Sequence, residues 1–367
     1  MALGFGWLNQ AQLRYYSKDK YDESYQNDQL ASLFFSTIFC ITLILLVAIY
    51  KSLSIFISII LIITIFSIGS FNYIKTFYQA KLIPQKIIYL TSLQSIMSLI
   101  IPIPLMFIMG FKYSILILGI AFSFLFSTFI IIKIDKKKYF SFLKKNIVDR
   151  KNNNIVKWFK YGSPISIWFV IGLALPFLDR YFINYYLENQ DLGTYSSLQE
   201  ILVRSFSFTL FPFTMALHPR IMDLWNRSKI QQTLTLILNS IYIIIFIGLI
   251  ILFIIWFFND LVFILISKAL PEISIQSKII ILPLLLAGFL WQLSLLTHKM
   301  LELKEKTTLM IVAIIPSLII NIIGNNYFLP KFGLIGTAYT GLASALVYCI
   351  ITSVYFIYSF KKIQLVK

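Results

Sequence analysis

The sequence has few of the residues on which metalloenzymes and redox proteins depend. Its 367 residues include two cysteines, two histidines and only 15 acidic residues. Cys40 and Cys349 both lie inside apolar runs, so neither a disulfide nor a metal site is indicated. His218 and His298 stand alone, and neither belongs to a His-Glu-x-x-His zinc pattern. These shortages argue against a metalloenzyme and against a small disulfide-stabilised domain.

Several sequence motifs are also absent. No glycine-rich phosphate loop ending in Lys-Ser or Lys-Thr is present, which excludes ATP hydrolysis by that route. No nucleophile elbow occurs, nor any pair of catalytic carboxylates outside residues 164–219. No removable signal peptide is indicated, because the N-terminal apolar stretch is short and Arg14 follows it. We therefore expect a protein that is not an enzyme and that carries no cofactor.

Apolar residues dominate what is present. Hydrophobic residues make up 59% of the chain and charged residues 13%, and the mean hydropathy is +0.82. No soluble core requires so much apolar sequence, so we predict an all-α protein that crosses a membrane many times. The predicted spans are Leu30–Tyr50, Ser54–Lys75, Lys86–Met109, Tyr113–Ile134, Gly162–Ile183, Leu192–Ala216, Thr235–Trp256, Lys278–Thr297, Thr308–Phe328 and Gly333–Phe360.

Lysine and arginine are distributed unevenly between the two sets of loops. The basic-poor set carries Lys51, Lys112, Lys268, Lys278 and Lys331. The basic-rich set carries Arg14, Lys18, Lys20, Lys75, Lys81, Lys86, a cluster between 133 and 160, Arg220, Arg227, Lys229, Lys299, Lys304, Lys306, Lys361, Lys362 and Lys367. By the positive-inside rule the basic-rich loops and the C-terminus are cytoplasmic. The net charge of +17 then indicates contact with anionic membrane lipids, and we expect no nucleic-acid partner.

A basic segment at residues 135–160 divides the spans into two groups. We predict an N-terminal helical bundle over residues 1–134, which is incomplete, and a C-terminal bundle over residues 161–367. Residues 135–160 form a cytoplasmic linker between them, and contact with lipid headgroups is sufficient to explain its charge.

The stretch from Pro164 to Pro219 contains charges that a membrane span alone does not require. Two apolar runs flank a polar turn at residues 188–191, which predicts a helical hairpin. Arg204 lies roughly 18–20 Å from that turn, near the middle of the hydrocarbon. A charge at such a depth is costly, so it is normally functional or one member of a pair.

Hairpin geometry predicts the partners of this arginine. Antiparallel helices that turn near residue 190 place Arg180 at the depth of Glu200, and Asp179 within about one turn of Arg204. Glu200 and Arg204 are four residues apart and share a helix face. One interpretation is a closed ion-pair network that allows the hairpin to insert. The other is a wet cavity in which these groups exchange partners with an anionic substrate or a coupling cation.

Three other patterns carry weaker hypotheses. His298 is followed by Lys299 and Glu302, which indicates either an interfacial polar cluster or a proton relay. Prolines interrupt several spans and favour bent helices. The small residues from Gly333 to Ala345 predict close helix packing and not a site.

The segments DRYFINYYLENQDLGTYSS and FPFTMALHPRI resemble the start of the second half of bacterial Wzx-like polysaccharide (O-antigen) flippases, which belong to the multidrug/oligosaccharidyl-lipid/polysaccharide (MOP) exporter superfamily. The segment FGLIGTAYTGLASALVY looks like their final span, and LGFGWLNQAQLRYY looks like the end of their second. The resemblance covers essentially the whole chain. Compared with these flippases, the sequence lacks the first helix and half of the second. Either the start codon is misassigned, the gene is truncated, or the protein works without these helices.

The resemblance implies two pseudo-symmetric six-helix bundles around a central cationic cavity in the bacterial inner membrane. The cavity would carry undecaprenyl-pyrophosphate-linked oligosaccharide repeat units outward for O-antigen, lipopolysaccharide, capsule or exopolysaccharide biosynthesis. The expected partners are this lipid-linked oligosaccharide, membrane lipids, and the polysaccharide polymerase and chain-length machinery.

The same resemblance implies roles for the charged residues. Arg204 and Arg180 would bind the pyrophosphate and anionic sugars, because guanidinium groups match phosphate oxygens. Asp179 and Glu200 would hold those arginines or carry a coupling Na⁺ or H⁺.

Two further arginines would lie at the cytoplasmic ends of equivalent helices. Arg14 and Arg220 would guide the headgroup into the cavity, or would act only as topology anchors.

Two alternatives to a flippase for lipid-linked oligosaccharide remain at this point. A peptidoglycan-precursor or drug exporter would share the fold, although a drug exporter should have a more acidic or aromatic cavity than one containing Arg204. A membrane polymerase or glycosyltransferase should have a large extracytoplasmic loop with catalytic residues, whereas the predicted outer loops are short.

Overall fold

A computed structural model describes residues 2–19, 25–135, 153–270 and 273–365. Most of the predicted linker, residues 136–152, lies outside the described residues, as do Lys20 and Lys367. Every regular element within the described ranges is helical. The elements are α1 (Ala2–Asp19), α2 (Tyr25–Tyr50), α3 (Ile55–Ala80), α4 (Pro84–Ile100), α5 (Pro102–Met109), α6 (Tyr113–Ile134), α7 (Asn153–Tyr186), α8 (Asn189–Asn226), α9 (Ile230–Phe257), α10 (Asn259–Ala269), a 3₁₀ helix (Ile275–Ile280), α11 (Ile281–Thr297), α12 (Lys299–Leu303), α13 (Thr308–Phe332) and α14 (Leu334–Leu365).

Ten segments of the described chain are long and apolar enough to cross a membrane. Each overlaps one predicted span, so the prediction of an all-α, multi-pass membrane protein is confirmed. The helices α7 and α8 contain 34 and 38 residues and extend well beyond the predicted spans. Hydropathy detects only the apolar part of a helix, whereas polar residues continue the same backbone hydrogen bonding outside the hydrocarbon.

Close contacts divide the chain into two compact units, residues 1–166 and residues 167–367. In the first unit α1 packs against α2 and α3, and α6 packs against α3, α4 and α5. The N-terminal part of α7 approaches α1 so closely that a Cβ added at Gly162 would lie 2.2 Å from the carbonyl oxygen of Trp7. Glycine is therefore required at this crossing.

The core of the second unit lies between α8, α9 and α11, with α13 and α14 packed beside them. Gly333 ends α13 with a φ of +58°, a conformation that glycine adopts at little cost. Gly336 then lets α14 approach α13, since a Cβ there would lie 2.5 Å from the carbonyl oxygen of Phe328. This tight turn brings the middle of α14 beside the middle of α13.

The prolines have different effects on their helices. Pro102 begins α5 directly after the end of α4, the position at which its missing N–H costs least. Pro164, Pro176, Pro212, Pro219 and Pro316, in contrast, lie inside continuous helices. Helical structure therefore continues past these five prolines.

Candidate functional site

The predicted hairpin is present in the second unit. The helix α7 ends at Tyr186, residues 187 and 188 turn, and α8 begins at Asn189. The turn is closed by backbone hydrogen bonds from Leu187 to Ile183 and from Leu192 to Glu188. The two helices therefore run antiparallel, and charged residues on each are brought to the same depth.

Two arginines share one carboxylate on this hairpin. Arg180 Nη2 donates to Glu200 Oε1 at 2.7 Å, and Arg204 Nε pairs with Glu200 Oε2. The Arg204 side chain is 77% exposed, against 25% for Arg180. Because two guanidinium groups face one carboxylate, this group of three residues carries a net positive charge.

Asp179 has a different set of partners. Its carboxylate accepts hydrogen bonds from Asn321 and Asn325, both at 2.8 Å, from Tyr195 at 3.1 Å and from Gln199 at 3.3 Å. All four donors are neutral, and Asp179 is 4% exposed. Within the described residues both arginines pair with Glu200. Asp179, which was also expected to hold an arginine or a cation, is bonded instead to three amides and a phenol.

Gln199 links these two groups of residues. Its Nε2 donates to Asp179 Oδ2, and its Oε1 accepts from Arg180 Nη2, each at 3.3 Å. A continuous set of hydrogen bonds therefore runs from the buried carboxylate of Asp179 to the half-exposed carboxylate of Glu200.

Residues far away in the sequence complete the surroundings of Asp179. Asn321 and Asn325 lie four residues apart on α13, so both amides are on one helix face. A Cβ added at Gly341 on α14 would lie 3.8 Å from Asp179 Oδ2. The small-residue stretch of α14, expected to serve packing alone, therefore also forms part of this site. An Asn pair four residues apart in an apolar span is a sequence signal that could have identified α13.

These groups line a cavity of about 370 Å³ inside the second unit. Arg180, Glu200 and Arg204 form one part of its wall, and Asp179 forms another. Much of the remaining lining is apolar or aromatic and comes from α7 and α11, including Trp168 and Trp291. The ion pairs are formed, as the closed-network interpretation expects, and they also border this cavity, as the wet-cavity interpretation expects.

The other two candidate arginines lie elsewhere. Arg220 is exposed on α8, sixteen residues after Arg204, which places it about 24 Å further along the helix axis. Arg14 is buried in the first unit, on α1, with its guanidinium 6.0 Å from the ring centre of Tyr15. Neither residue lines the cavity of the second unit.

The residues around His298 form a second polar cluster, which is buried. Glu302 accepts from Lys299 Nζ at 2.8 and 2.9 Å and lies 2.9 Å from His298 Nε2. Lys299 Nζ also lies 2.7 Å from His218 Nδ1 on α8. The four side chains are at most 7% exposed. Helix packing therefore encloses these charges, and the choice between a polar cluster at the membrane interface and a proton relay stays a prediction.

Positive charge is concentrated in the loop that follows this cluster. Partial burial, together with the charges of Lys306 and Lys362, lowers the pKa of Lys304 below its usual range.

No group of three or more His, Cys, Asp or Glu side chains suited to a metal ion occurs in the described part of the chain.

Solved structures with the same fold are transporters. The chain superposes on a MATE transporter in complex with MaL6 (TM-score 0.78, 13% identity, 99% of this chain and 85% of that one). It also superposes on an outward-facing multidrug resistance MATE family transporter of the MOP superfamily (TM-score 0.76, 15% identity, 100% and 85%). A third match is a MOP superfamily transporter from Pyrococcus furiosus (TM-score 0.76, 13% identity, 99% and 84%). No protein-family model matches the chain, and no curated protein matches it significantly.

The fold is therefore that of MATE transporters of the MOP superfamily. At 13–15% identity these structures show the fold alone.

Proposed function

We propose that this protein is a flippase that moves undecaprenyl-pyrophosphate-linked oligosaccharide repeat units across the bacterial inner membrane by alternating access. The main support is the positively charged cavity wall, in which Arg180 and Arg204 share Glu200. Guanidinium groups match phosphate oxygens with paired hydrogen bonds, and low dielectric surroundings strengthen that interaction. The exposed guanidinium of Arg204 can exchange Glu200 for a pyrophosphate without further rearrangement.

Asp179 is proposed as the site of the coupling Na⁺ or H⁺. Its carboxylate is buried, and four neutral hydrogen bonds leave a full negative charge to be balanced. Asn325 Oδ1 is also buried and accepts no hydrogen bond from the part of the chain that the structure describes. A small cation or a proton would balance the carboxylate, and Gln199 would transmit its presence to Arg180.

The remaining parts of the proposal follow the distribution of charge. The basic-rich loops and the C-terminus would face the cytoplasm. Arg14 and Arg220 would meet anionic headgroups at that side, or would only anchor the topology. The product would feed the polymerase and chain-length machinery of O-antigen, capsule or exopolysaccharide synthesis.

Replacing Arg204 tests this proposal. We expect Arg204→Ala to abolish surface polysaccharide while the amount of protein in the membrane is unchanged, because the exposed phosphate ligand is lost. Arg204→Lys should retain part of the activity, since it keeps the charge and loses the planar fork. The measurement is complementation of a flippase-deficient strain, read as surface polysaccharide, with membrane protein quantified by immunoblot.

The chain offers a matched control on the same helix. Arg227 pairs with Asp223 four residues earlier, at 2.9 Å, as Arg204 pairs with Glu200, yet it does not line the cavity. Arg227→Ala should therefore leave polysaccharide near the wild-type amount. Near-normal polysaccharide from Arg204→Ala as well would remove Arg204 from the mechanism.

Drug export is the second candidate, because the similar structures include a multidrug resistance MATE transporter. The fold does not decide the cargo: the Pyrococcus furiosus transporter has a binding pocket of reverse polarity, which suggests a different function for that protein. Drug export predicts that ethidium accumulation falls in cells that express the protein. A flippase for anionic lipids predicts no change, because the exposed Arg204 repels cations.

A further inference from the structure

The cavity has an aromatic floor, which we define as the indole rings of Trp168 on α7 and Trp291 on α11. Both residues line the cavity, but Trp168 is only 5% exposed whereas Trp291 is partly exposed, so Trp291 supplies most of the open surface of the floor. Trp168 precedes Arg180 by twelve residues on α7, so their Cα atoms are about 18 Å apart along the helix axis. A ligand that contacts Arg180 and the floor must therefore carry an anionic group at one position and a group suited to an indole face at another.

The aromatic floor is supported from behind by a third ring. Tyr348 is fully buried and does not line the cavity. Its ring centre lies 5.2 Å from that of Trp291 and 6.1 Å from that of Trp168, with interplanar angles of 31° and 32°. Three rings in this tilted stack leave little rotational freedom to either indole, so the floor presents a preformed surface to the cavity.

The buried polar cluster holds Tyr348 in place. The Tyr348 hydroxyl lies 3.1 Å from His298 Nδ1, while His298 Nε2 lies 2.9 Å from Glu302. These distances fit a histidine that accepts from the phenol and donates to the carboxylate. The His298 ring also meets the edge of Trp168, with ring centres 4.9 Å apart. A charge cluster that is costly to bury thus fixes the orientation of the floor.

We propose that the aromatic floor is a stacking platform for a pyranose ring, separate from the arginine site for phosphate; this inference rests on the proposed flippase function. The axial C–H groups of a pyranose form an apolar face that fits an indole, while its hydroxyl groups point to the ring edge. Gln292 and Ser207 line the same cavity, are hydrogen-bonded to each other at 3.0 Å, and supply polar atoms for that edge. Gln292 Oε1 is buried and has no hydrogen-bond partner among the described residues.

The test compares undecaprenyl diphosphate with forms of the same lipid that carry one sugar. Purified protein in nanodiscs is titrated with undecaprenyl diphosphate and with the same lipid carrying N-acetylglucosamine or galactose. We expect Trp291→Leu to weaken binding of the sugar-bearing lipids about tenfold and to change binding of undecaprenyl diphosphate by less than about twofold. Trp291→Tyr, which keeps a ring, should fall between Trp291→Leu and the wild type.

Trp256→Leu is the matched control, because Trp256 is 61% exposed on α9 and does not line the cavity. It should change neither affinity. Equal weakening of both probes by Trp291→Leu would show that the ring supports the fold, and unchanged sugar-lipid affinity would show that it contacts no sugar; either result overturns the proposal. The same titration is run with the cation tetraphenylphosphonium. If Trp291→Leu loses only the binding of this cation, the floor is a platform for cations, and the proposal is overturned.

Failure of the proposed function gives a different result. In that case wild-type protein binds neither undecaprenyl diphosphate nor its sugar-bearing forms, and Arg204→Ala retains surface polysaccharide. Both proposals are then overturned. Binding of undecaprenyl diphosphate by the wild type with no gain from the sugar overturns the stacking platform alone.

Discussion

Two carboxylates on one hairpin have different environments, which suggests different tasks. Glu200 is 40% exposed and is shared by two guanidinium groups, so its charge is already balanced. Asp179 is buried, and its hydrogen-bond donors within the described ranges are all neutral. Burial of an unbalanced charge is unfavourable, and a cation or proton relieves it. Asp179 is therefore the better candidate for ion coupling, and Glu200 for holding the arginines.

This difference predicts the effect of Asp179→Asn. The amide keeps the shape and removes the charge that a cation would balance. In proteoliposomes that receive a Na⁺ gradient or a pH gradient separately, we expect the variant to lose the acceleration of lipid-linked oligosaccharide flipping that the wild type shows. Binding of undecaprenyl diphosphate should persist, because Arg180, Glu200 and Arg204 remain. The gradient to which the wild type responds identifies the ion.

Asp260→Asn serves as the control. Asp260 is 87% exposed, pairs with Lys278 and does not line the cavity. The flipping rate of the Asp260→Asn variant should respond to the gradient as that of the wild type does. An undiminished gradient response in Asp179→Asn would place the coupling ion elsewhere.

The sequence was sufficient to predict the pairing of both arginines with Glu200, but not the neutral partners of Asp179, which it placed near Arg204. The pairing of Arg180 with Glu200 follows from a hairpin that turns near residue 190, and that of Glu200 with Arg204 follows from helix periodicity. The contact of Asp179 with Asn321 bridges 142 positions. The relative register of helices that are distant in sequence depends on side-chain packing, and no local pattern encodes it.

At the scale of the element, the buried cluster lies where α11 meets α12. The helix α11 ends at Thr297, and α12 begins at Lys299, with His298 between them. His298 contacts Tyr348, while Lys299 and Glu302, three residues apart, pair with each other. The order of residues indicated a polar cluster, but its burial depends on α8 and α14 covering it.

Breaking this buried pair should destabilise the protein strongly. Glu302→Gln leaves Lys299 enclosed without its anion, and removal of one partner from a buried pair typically costs about 3–5 kcal/mol. We expect a marked fall in the melting temperature of the purified protein in detergent. Glu302→Gln combined with Lys299→Met should melt at a higher temperature than Glu302→Gln alone, because no unpaired charge remains.

The control for this prediction is an exposed ion pair near the C-terminal end of α8. Arg227 is 60% exposed beside Asp223, and exposed pairs contribute about 0–1 kcal/mol. Asp223→Asn should therefore hardly change the melting temperature. A change as large as that of Glu302→Gln would show that burial does not set the difference.

At the scale of the whole molecule, composition was enough to predict the architecture of membrane spans. Apolar runs near 20 residues long are required by the bilayer itself, which explains why each predicted span overlaps a helix. The cavity could not be predicted in the same way. Its lining combines residues of α7, α8, α11, α13 and α14. The roles of Gly341 and of the aromatic floor can be recognised only when those helices are packed together.

The orientation of the second unit remains a prediction that its loops make testable. The turn between α7 and α8 has Glu188 at one end of the hairpin, whereas Lys361 lies near the end of α14 among basic residues. The positive-inside rule places Glu188 outside and Lys361 in the cytoplasm.

Single-cysteine labelling tests this orientation. Cys40 and Cys349 are buried, and replacing both by alanine gives a cysteine-free protein into which single cysteines are introduced. Glu188→Cys should then react with a membrane-impermeant maleimide in intact spheroplasts, and Lys361→Cys should react only after permeabilisation. The opposite pattern would invert the orientation, and the carboxylate of Asp179, which lies nearer to the Glu188 turn than to the basic loops, would then load its cation from the cytoplasm.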